Sequence, residues 1–436
     1  MARKTTRQHS QGEASRRTIL DATLQIAGER GYVGTTMAQV TKASGLPGSS
    51  VYWHFHNKDD LLADALDHGY RRFSDEHPRW VDVDRSRPLE EALLAQLLAT
   101  THALDEEPGF WRMGLLLALE TGPAVGTAPR ERFLDVRAQA LSRLTDWWTR
   151  ALGDSAGTVD PAGRHARTLA LLTVSSTDGL FLAHQSDVQE DLTPLLHALA
   201  RGLAAAARLL VAGGPIPRRT GRRVPPVRLV VADPDSGRER LLLAAADVAA
   251  ESGYDGASIS RICERAGLPA SSLYWHFKDK DDLIASAIEH SYQEWYVAQP
   301  AWLPPAPGTR WQDQLHDHFT VSLRSLAERP LFLRIGHQLL LLRRDDPPAA
   351  RARFVAVRRQ ARMVQEQWYA QVLGVDGAGE DRGTPAAMAL LTMALSDGLF
   401  FSYQLDEPVW DVELFTDLLV AMLDAAAAAV PSSTTR

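Results

Sequence analysis

The chain contains 436 residues, 45% of them hydrophobic and 23% charged, with a formal net charge of −7. A chain of this length is too long for one hydrophobic core, so at least two domains are expected. The negative net charge of the whole chain does not indicate nucleic-acid binding. A single cysteine, Cys263, excludes an internal disulfide. The sequence shows no run of about 18 apolar residues, so we expect a cytoplasmic protein without a membrane span.

Helical periodicity begins at about residue 15 and continues to residue 30, with small and apolar side chains on one face. Gly31 predicts the end of this helix as a C-cap. Thr36 predicts the start of a second helix, and Gln39, three positions later, has the spacing of a capping box. Gly45 permits the tight turn that follows. Together these features indicate a helix-turn-helix unit.

The third predicted helix is short, and its faces carry different chemistry. Val51 and Phe55 lie four positions apart and are expected to face the core. The other side chains are expected to face outward: Ser49, Ser50, Tyr52, Trp53 and His54. Hydroxyl, imidazole and aromatic groups on an exposed face suit hydrogen bonding and stacking against DNA. The alternative is that Tyr52 and Trp53 only cover the first helix.

A lysine opens the fourth predicted helix. Asn57 has the position of its N-cap, and Lys58 lies in the first turn, where a cation opposes the helix dipole. A phosphate bound there would reverse that cost, so Lys58 is a candidate phosphate contact, with a solvated surface lysine as the alternative. A basic segment precedes the unit and suits either a groove-binding arm or a solvated tail: Arg3, Lys4, Arg7, Arg16 and Arg17.

The remainder of the first half is predicted to be helical. Apolar spacing predicts helices over 89–104, 111–120, 131–152, 164–185 and 190–212. Residues 213–237 are rich in Pro, Gly and Arg and lack a helical period, which predicts a linker. About 24 extended residues span up to roughly 80 Å, enough to return from one end of a domain to the other.

The sequence then repeats itself. Residues 238–295 align with 16–73 at an offset of 222, with about 25 of 58 positions identical. A second basic segment precedes this copy: Arg218, Arg219, Arg222, Arg223 and Arg228. The similarity continues to Asp397-Gly398, which aligns with Asp178-Gly179, so the whole first half is duplicated. Matching helices are predicted over 311–327, 331–343, 350–373, 384–403 and 411–430.

Both units resemble the tetracycline-repressor (TetR) family of bacterial regulators, strongly over 15–62 and 237–284 and weakly elsewhere. The resemblance implies an all-α fold, a DNA-binding domain, and a C-terminal helical domain with a small-molecule pocket and a dimer interface. It also implies that ligand binding releases DNA. The resemblance implies DNA contacts in the first repeat by Thr36, Ser50, Tyr52, Trp53, His54 and Lys58. In the second repeat it implies contacts by Ser258, Ser272, Tyr274, Trp275, His276 and Lys280. The outward-facing Ser49 and Ser271 are added to these candidates.

Family members normally pair as two chains, whereas this chain supplies both halves. We expect an intramolecular pseudo-dimer whose interface is a four-helix bundle of 164–185, 190–212, 384–403 and 411–430. The expected domains are 1–62 and 63–212 in the first repeat, and 238–284 and 285–436 in the second. Because the two recognition helices are so similar, we expect a near-palindromic double-stranded operator with half-sites one or more helical turns apart.

The effector is expected to be a largely apolar small molecule. Candidate pocket residues are Trp111, Met113, Trp147, Trp148, Phe181 and His184 in the first half, and Phe332, His337, Trp368, Tyr369, Phe400 and Tyr403 in the second. Aromatic residues at helical spacing more often belong to a core. The halves differ where Glu120 and Thr121 align with Leu342 and Arg343, so we expect one functional pocket at most, or two that bind differently.

Alternative functions remain open. An enzyme is disfavoured because the sequence lacks phosphate-loop, zinc-protease and serine-hydrolase patterns. No cofactor or metal is expected, since the pairs His54/His56 and His316/His318 diverge on a helix. A ligand-independent activator or architectural DNA-binding protein would share the recognition helices but lack a ligand-sized cavity. Two chains could also pair, which would give four recognition helices.

Overall fold

The computed structural model shows an all-α chain, as predicted. It describes residues 2–76, 80, 82–120, 122, 126–153, 163–186, 192–212, 236–327, 330–344, 346–375, 383–405 and 411–428. Within these ranges there are 18 helices and no strand. The helices divide evenly between the two sequence repeats.

The first repeat contributes nine helices within the described residues. They are α1 (Ala2–Arg30), α2 (Met37–Ser44), α3 (Gly48–His54), α4 (Lys58–Glu76), α5 (Leu89–Glu106), α6 (Pro108–Leu119), α7 (Thr127–Leu152), α8 (Arg164–Ser186) and α9 (Thr193–Val211).

The second repeat contributes the same series over the part of its length that is described. Its helices are α10 (Gly237–Gly256), α11 (Ile259–Ala266), α12 (Ala270–His276), α13 (Lys280–Ala298), α14 (Trp311–Ala327), α15 (Leu331–Leu341), α16 (Ala349–Leu373), α17 (Gly383–Gln404) and α18 (Val412–Ala427).

The ends of the first helix in each repeat differ from the sequence prediction. Helix α1 begins at Ala2 rather than near residue 15, because its first turns are polar and basic and carry no apolar period to signal a helix. Its predicted C-cap is confirmed, since Gly31 has a φ of 70°. The equivalent Gly253 has a φ of 71° and lies as a kink inside the bounds of α10.

Most of the predicted linker, together with the basic segment between Arg218 and Arg228, lies outside the described residues. Its last two positions belong to α10 instead. Ser236 is the N-cap of that helix, because its hydroxyl accepts a 3.1 Å hydrogen bond from the backbone N–H of Glu239. Sequence reasoning missed this cap because the apolar period begins only at Leu241.

Each repeat packs its helices in the same order. Helix α4 contacts both α1 and α7, while α7 packs on α8 and α5 on α9. In the second repeat α13 contacts both α10 and α16, while α16 packs on α17 and α14 on α18. One long helix, α4 or α13, therefore connects each helix-turn-helix unit with the larger helical layer behind it.

The two repeats meet through a four-helix bundle, in which α8 packs on α17 and α9 on α18. This confirms the predicted interface. The crossing of α8 and α17 is very close: a Cβ added at Gly179 would lie 1.8 Å from the carbonyl oxygen of Ala394. A Cβ added at Gly398 would lie 1.7 Å from the carbonyl oxygen of Ser175. Only glycine permits this approach of the two backbones.

Pseudo-symmetric hydrogen bonds extend the interface beyond the bundle. The guanidinium of Arg130 donates to the carbonyl of Gln404 at 2.9 Å, and that of Arg351 donates to the carbonyl of Gln185 at 3.2 Å. Each repeat therefore caps the end of a bundle helix that belongs to the other repeat, which ties the two halves into one unit.

Two helices within the described residues are long and apolar enough to span a membrane by length and composition, Thr193–Val211 and Thr384–Gln404. The sequence inspection did not recognise them as such runs. In the structure 56% of the first apolar window and 72% of the second are buried inside the protein. Both helices belong to the bundle between the repeats, so burial in a protein core accounts for their composition.

Candidate nucleic-acid interface and effector cavities

The helix-turn-helix of each repeat is built by capping and by a left-handed turn. Thr36 forms the predicted capping box with Gln39: the threonine hydroxyl accepts from the Gln39 N–H at 3.2 Å, and the glutamine carbonyl oxygen accepts from the Thr36 N–H at 2.8 Å. Ser258 caps α11 in the second repeat. The turns that follow pass through Gly45 and Gly267, with φ of 66° and 64°.

Two aromatic side chains on α3 and their equivalents on α12 project into solvent. Tyr52 is 59% exposed and Trp53 76%, and Tyr274 is 60% exposed and Trp275 86%. Val51, as predicted, is fully buried beneath them. Large aromatic groups rarely stand this free of the protein surface without a partner. The alternative that these rings only cover the first helix is therefore wrong.

Small polar groups border the aromatic pair. Thr36 and Ser49 are exposed, and Ser50 is half-buried; their equivalents are Ser258, Ser271 and Ser272. We call these residues together with Tyr52, Trp53 and His54, or with Tyr274, Trp275 and His276, the two recognition faces. Burial lowers the pKa of His54, and the neighbouring Arg16 lowers it further, so this imidazole is neutral at neutral pH.

The lysine at the start of α4 occupies a different position from the one expected. Nζ of Lys58 donates to the carbonyl of Tyr32 at 3.1 Å and lies 3.6 Å from the centre of that ring. Lys280 donates to the carbonyl of Tyr254 at 3.0 Å and lies 4.1 Å from its ring. Burial lowers the pKa of both lysines. Each ammonium group binds its own domain, and a phosphate contact stays a prediction.

Asn57 has its predicted role at the same helix start. Its side-chain oxygen accepts from the N–H of Asp60 at 2.8 Å. In the second repeat the side chain of Asp279 accepts from the N–H of Asp282 at 2.9 Å. The lysine, the cap and the turn after the first helix thus hold α4 or α13 rigidly against its helix-turn-helix unit.

Comparison with known proteins agrees with this geometry. The family described as "Bacterial regulatory proteins, tetR family" matches the chain twice, over residues 19–65 and 241–287. Each match covers one complete helix-turn-helix and the start of the connecting helix. The two helix-turn-helix units are therefore similar to those of the TetR family, over these two segments of the chain.

Individual TetR relatives share shorter stretches with this chain. It is 34% identical over 64 residues to the HTH-type transcriptional regulator AcrR of Shigella flexneri, which covers 15% of this chain and 28% of the relative. It is 30% identical over 106 residues to the HTH-type transcriptional regulator SrpR of Pseudomonas putida, covering 24% of this chain and 46% of the relative. The chain thus spans less than half the length of these relatives.

A third relative is matched over more of its length. The uncharacterized HTH-type transcriptional regulator TtgW, also of Pseudomonas putida, is 29% identical over 106 residues, or 24% of this chain and 72% of the relative.

Each repeat contains a cavity behind its connecting helix. The cavity of the first repeat measures about 70 Å³ and that of the second about 120 Å³. They occupy equivalent places, since Tyr70 and Thr173 line the first where Tyr292 and Thr392 line the second. The chain therefore contains two related cavities of unequal size.

Only two of the predicted effector residues line these cavities, Trp111 in the first and Phe332 in the second. The structure places most of the others in the surrounding packing: Met113, Trp147, Trp148, Phe181, His337, Trp368, Tyr369, Phe400 and Tyr403. His184 is exposed and lies 3.4 Å from Asp105. Trp147 and Trp368 illustrate the reason, because each ring is buried and donates its N–H to a loop carbonyl, at 3.1 and 3.0 Å. Helical periodicity cannot distinguish such core aromatics from cavity walls.

Several of the lining residues that sequence reasoning missed lie on the connecting helices. Tyr70 and Phe73 of α4 line the first cavity, and Tyr292 and Trp295 of α13 line the second. They repeat at an offset of 222, so the alignment of the two halves could have singled out this aromatic pair. Their position on the connecting helix joins the cavity to the helix-turn-helix unit through that helix.

A buried ion pair links the second cavity with the bundle. Arg358 donates to both carboxylate oxygens of Asp397, at 3.0 and 2.6 Å, and His337 lies 3.1 Å from the same carboxylate. Burial by itself would raise the pKa of Asp397, but Arg358 and His337 outweigh it and lower the pKa to about 2. The equivalent pair in the first repeat is Arg137 and Asp178, 2.7 Å apart and also buried.

A buried carboxyl group lies where the two helix-turn-helix units approach each other. Glu120, at the end of α6, accepts from the N–H of Tyr32 at 2.7 Å, and a Cβ added at Gly31 or Gly253 would lie 2.4 or 3.2 Å from one of its oxygens. Burial raises its pKa to about 8. The equivalent residue, Leu342, carries no charge, so this feature occurs in one repeat only.

The ends of α6 and α15 also cross to the opposite unit. The N–H of Gly122 donates to the carbonyl of Glu251 at 2.6 Å, and the N–H of Arg343 donates to the carbonyl of Glu29 at 2.8 Å. Each larger helical layer therefore contacts the first helix of the other repeat's DNA-binding unit.

One group among the described residues has the composition of a metal site, although none was predicted. Donor atoms of Glu239, His290 and Glu294 lie within 4.8 Å of one another. Nε2 of His290 is only 2.6 Å from Glu239, the distance of a direct ion pair, whereas two ligands of a tetrahedral zinc ion lie about 3.3 Å apart. The equivalent positions in the first repeat include Arg17 and Arg72, whose positive charges disfavour a metal.

Proposed function

We propose that this protein is a sequence-specific DNA-binding transcriptional regulator, acting as a ligand-responsive repressor. The observation that carries the proposal is the pair of recognition faces, which present the same exposed Tyr-Trp-His sequence from two equivalent helices of one chain. Its TetR relatives carry transcriptional-regulator names, and the recognition helix of a helix-turn-helix reads base edges in the major groove.

The proposed target is a near-palindromic operator in double-stranded DNA. Two equivalent faces related by the pseudo-symmetry of the repeats read two similar half-sites, as the two chains of a dimeric regulator do. Small differences adjoin the faces, with Gln39 and Lys42 in the first repeat and Arg261 and Glu264 in the second. These differences favour a slight asymmetry between the half-sites.

The cavities and the tied helices support a response to a small molecule. Each cavity is lined by the helix that carries its DNA-binding unit, so a ligand that displaces this helix changes the separation of the recognition faces. We also propose a regulator rather than an enzyme, located in the cytoplasm, because the relatives carry the names of transcriptional regulators. One chain suffices for both half-sites, which favours a monomeric pseudo-dimer over a pair of chains.

The test is selection of bound duplexes from a random DNA pool with the full-length chain at moderate salt. We expect enrichment of a near-palindrome and its loss with either Tyr52→Ala or Tyr274→Ala. Met363→Ala is the matched control, because this side chain is 58% exposed on α16, away from the recognition faces. Enrichment of two unrelated half-sites, or of none, would contradict the proposal. Sedimentation analysis of the selected complex gives the number of chains.

A further inference from the structure

The two cavities differ in what fills them. In the first repeat Arg143 reaches into the cavity, where it donates to the hydroxyl of Ser74 at 2.7 Å and to the hydroxyl of Tyr70. Its guanidinium also lies 5.2 Å from the centre of the Tyr70 ring. An arginine with these contacts occupies the space in which a ligand would lie, and it leaves a positive charge in what remains.

The second cavity has no such occupant among the described residues. Val364 stands at the position equivalent to Arg143, and Leu333 at that of the bulkier Trp111. The cavity is consequently larger, at about 120 Å³ against about 70 Å³. At about 12 Å³ of accessible space per water, the second has room for about ten waters and the first for about six. The larger space suits a ligand of one or two fused rings.

Aromatic side chains form much of the wall of the second cavity. Phe332 meets Tyr292 in a T-shaped contact and Trp295 in a tilted one, with ring centres 5.4 and 5.2 Å apart. Trp302 stacks on the imidazole of His318 with ring centres 3.9 Å apart. Flat walls of this kind favour a planar aromatic ligand, which can meet them in stacked or edge-on contact.

Two hydrogen-bond acceptors in that wall lack partners. Nε2 of His318 and Oε1 of Gln365 are buried and have no hydrogen-bond partner within the described part of the chain. Burial lowers the pKa of His318 to about 4, although a hydrogen bond to the backbone of Ala301 raises it. The imidazole is thus neutral, and since its other nitrogen donates to that backbone, Nε2 offers a lone pair.

The charged residues of the wall are already paired. Arg358 and Asp397 line the cavity but bind each other through two hydrogen bonds. The cavity accordingly offers no unpaired cation for a ligand carboxylate. Since a buried acceptor without a partner costs free energy, a ligand that donates hydrogen bonds to it is favoured over an isosteric one that cannot.

We propose that the second-repeat cavity is the single effector site of the chain, and that it binds an uncharged aromatic compound carrying an O–H or N–H donor. This inference rests on the proposed ligand response. Ligand entry acts first on α13, because Tyr292, Trp295 and Tyr296 of that helix line the site. The first cavity, narrowed by Arg143, binds no effector, so one ligand controls a protein with two recognition faces.

The test uses isothermal titration of the full-length chain with 2-naphthol, 2-methoxynaphthalene and 2-naphthoate. We expect 2-naphthol to bind one per chain and more tightly than the other two. His318→Phe with Gln365→Leu should weaken 2-naphthol binding about tenfold and leave 2-methoxynaphthalene unchanged. Two equal sites, a preference for 2-naphthoate, or no binding of any probe at millimolar concentration would overturn the proposal.

A reciprocal exchange of the residues at positions 143 and 364 distinguishes an effect on the cavities from an effect on folding. Val364→Arg should abolish 2-naphthol binding, because the new guanidinium can meet Tyr292 and Tyr296 as Arg143 meets Tyr70 and Ser74. Arg143→Val should add a second site. If Arg143→Val fails to fold, the outcome rests on Val364→Arg, and unchanged binding by a folded Val364→Arg protein overturns the inference.

Binding of each variant to the selected operator without probe is measured in the same preparations. A chain that binds the operator but no probe removes this inference and leaves DNA recognition intact. A chain that binds 2-naphthol but no DNA removes the proposed function instead.

Discussion

The recognition faces of the two repeats are nearly the same, whereas the cavities behind them have diverged. Trp53 and Trp275 are both mostly exposed on equivalent helices, but Arg143 narrows one cavity and Val364 leaves the other more open. In the proposed function, a pseudo-symmetric operator needs two matching surfaces, whereas one ligand site is enough if the repeats move together. Fusion into one chain would then allow one cavity to lose ligand binding while both recognition faces are kept.

The largest effect on stability is expected at the buried ion pairs, which occur at equivalent positions in both repeats. Asp397→Asn would leave Arg358 buried without its counter-charge, and Asp178→Asn would remove the equivalent charge beside Arg137. We expect each to lower the free energy of unfolding by about 3–5 kcal/mol, measured by denaturant titration. Replacing Arg358 and Asp397 together by Met and Leu should recover most of the loss.

A surface pair gives the control for that experiment. Asp135 is 66% exposed and lies 3.4 Å from Arg132, so Asp135→Asn should change stability by less than about 0.5 kcal/mol. An equally small effect at both Asp178 and Asp397 would show that the buried pairs do not stabilise the fold.

The second test concerns the close crossing of α8 and α17. Gly179→Ala and Gly398→Ala each push a methyl group into the opposite backbone, so each should destabilise the fold by about 1–3 kcal/mol. The two effects should be similar if the bundle is pseudo-symmetric. Gly12→Ala, where a Cβ meets nothing within 4 Å, should be neutral or slightly stabilising. Thermal melting of the three variants measures the difference.

The third test exploits a difference between the repeats, since Glu120 has no charged counterpart. Its pKa is about 8 in the folded chain against an ordinary 4.5. Folding therefore takes up a proton between these values, and stability falls as pH rises from about 4.5 to about 8. Glu120→Gln should remove this dependence, so that its stability relative to the parent protein is greater at pH 8 than at pH 5.

Denaturant titrations at the two pH values measure the effect of Glu120→Gln. Glu91→Gln, at an exposed position of α5, should leave the pH profile as it is. A profile for Glu120→Gln that matches the parent protein would mean that Glu120 is ionised in the folded state.

The smallest effect is expected at the recognition faces. Trp53→Ala and Trp275→Ala should each weaken binding to the selected operator about tenfold, or ~1.4 kcal/mol. Because both side chains are largely exposed, melting temperatures should not change. Fluorescence anisotropy with the labelled operator gives the two affinities. A loss confined to one variant would show that one recognition face no longer reads DNA.

Local rules determined the helix-turn-helix units from the sequence. The N-cap at Thr36, the turn at Gly45 and the inward Val51 each depend on residues no more than four positions away. Each recurs in the second repeat, as Ser258, Gly267 and Leu273, although the capping box itself does not. The internal repeat then determined the pseudo-dimer and its bundle. Helix periodicity found the elements of the larger layers, but it missed the start of α1, where no apolar pattern exists.

The tertiary structure alone decided which side chains line a cavity, because that depends on how several helices meet and not on spacing along one of them. Trp147 and Trp368 share the helical period of a cavity wall yet fill the core, whereas Trp302 and His318 come together across a loop. The tertiary structure likewise turned Lys58 onto Tyr32 and placed Glu120 between the two units, since burial and charge pairing follow from contacts that are distant in sequence.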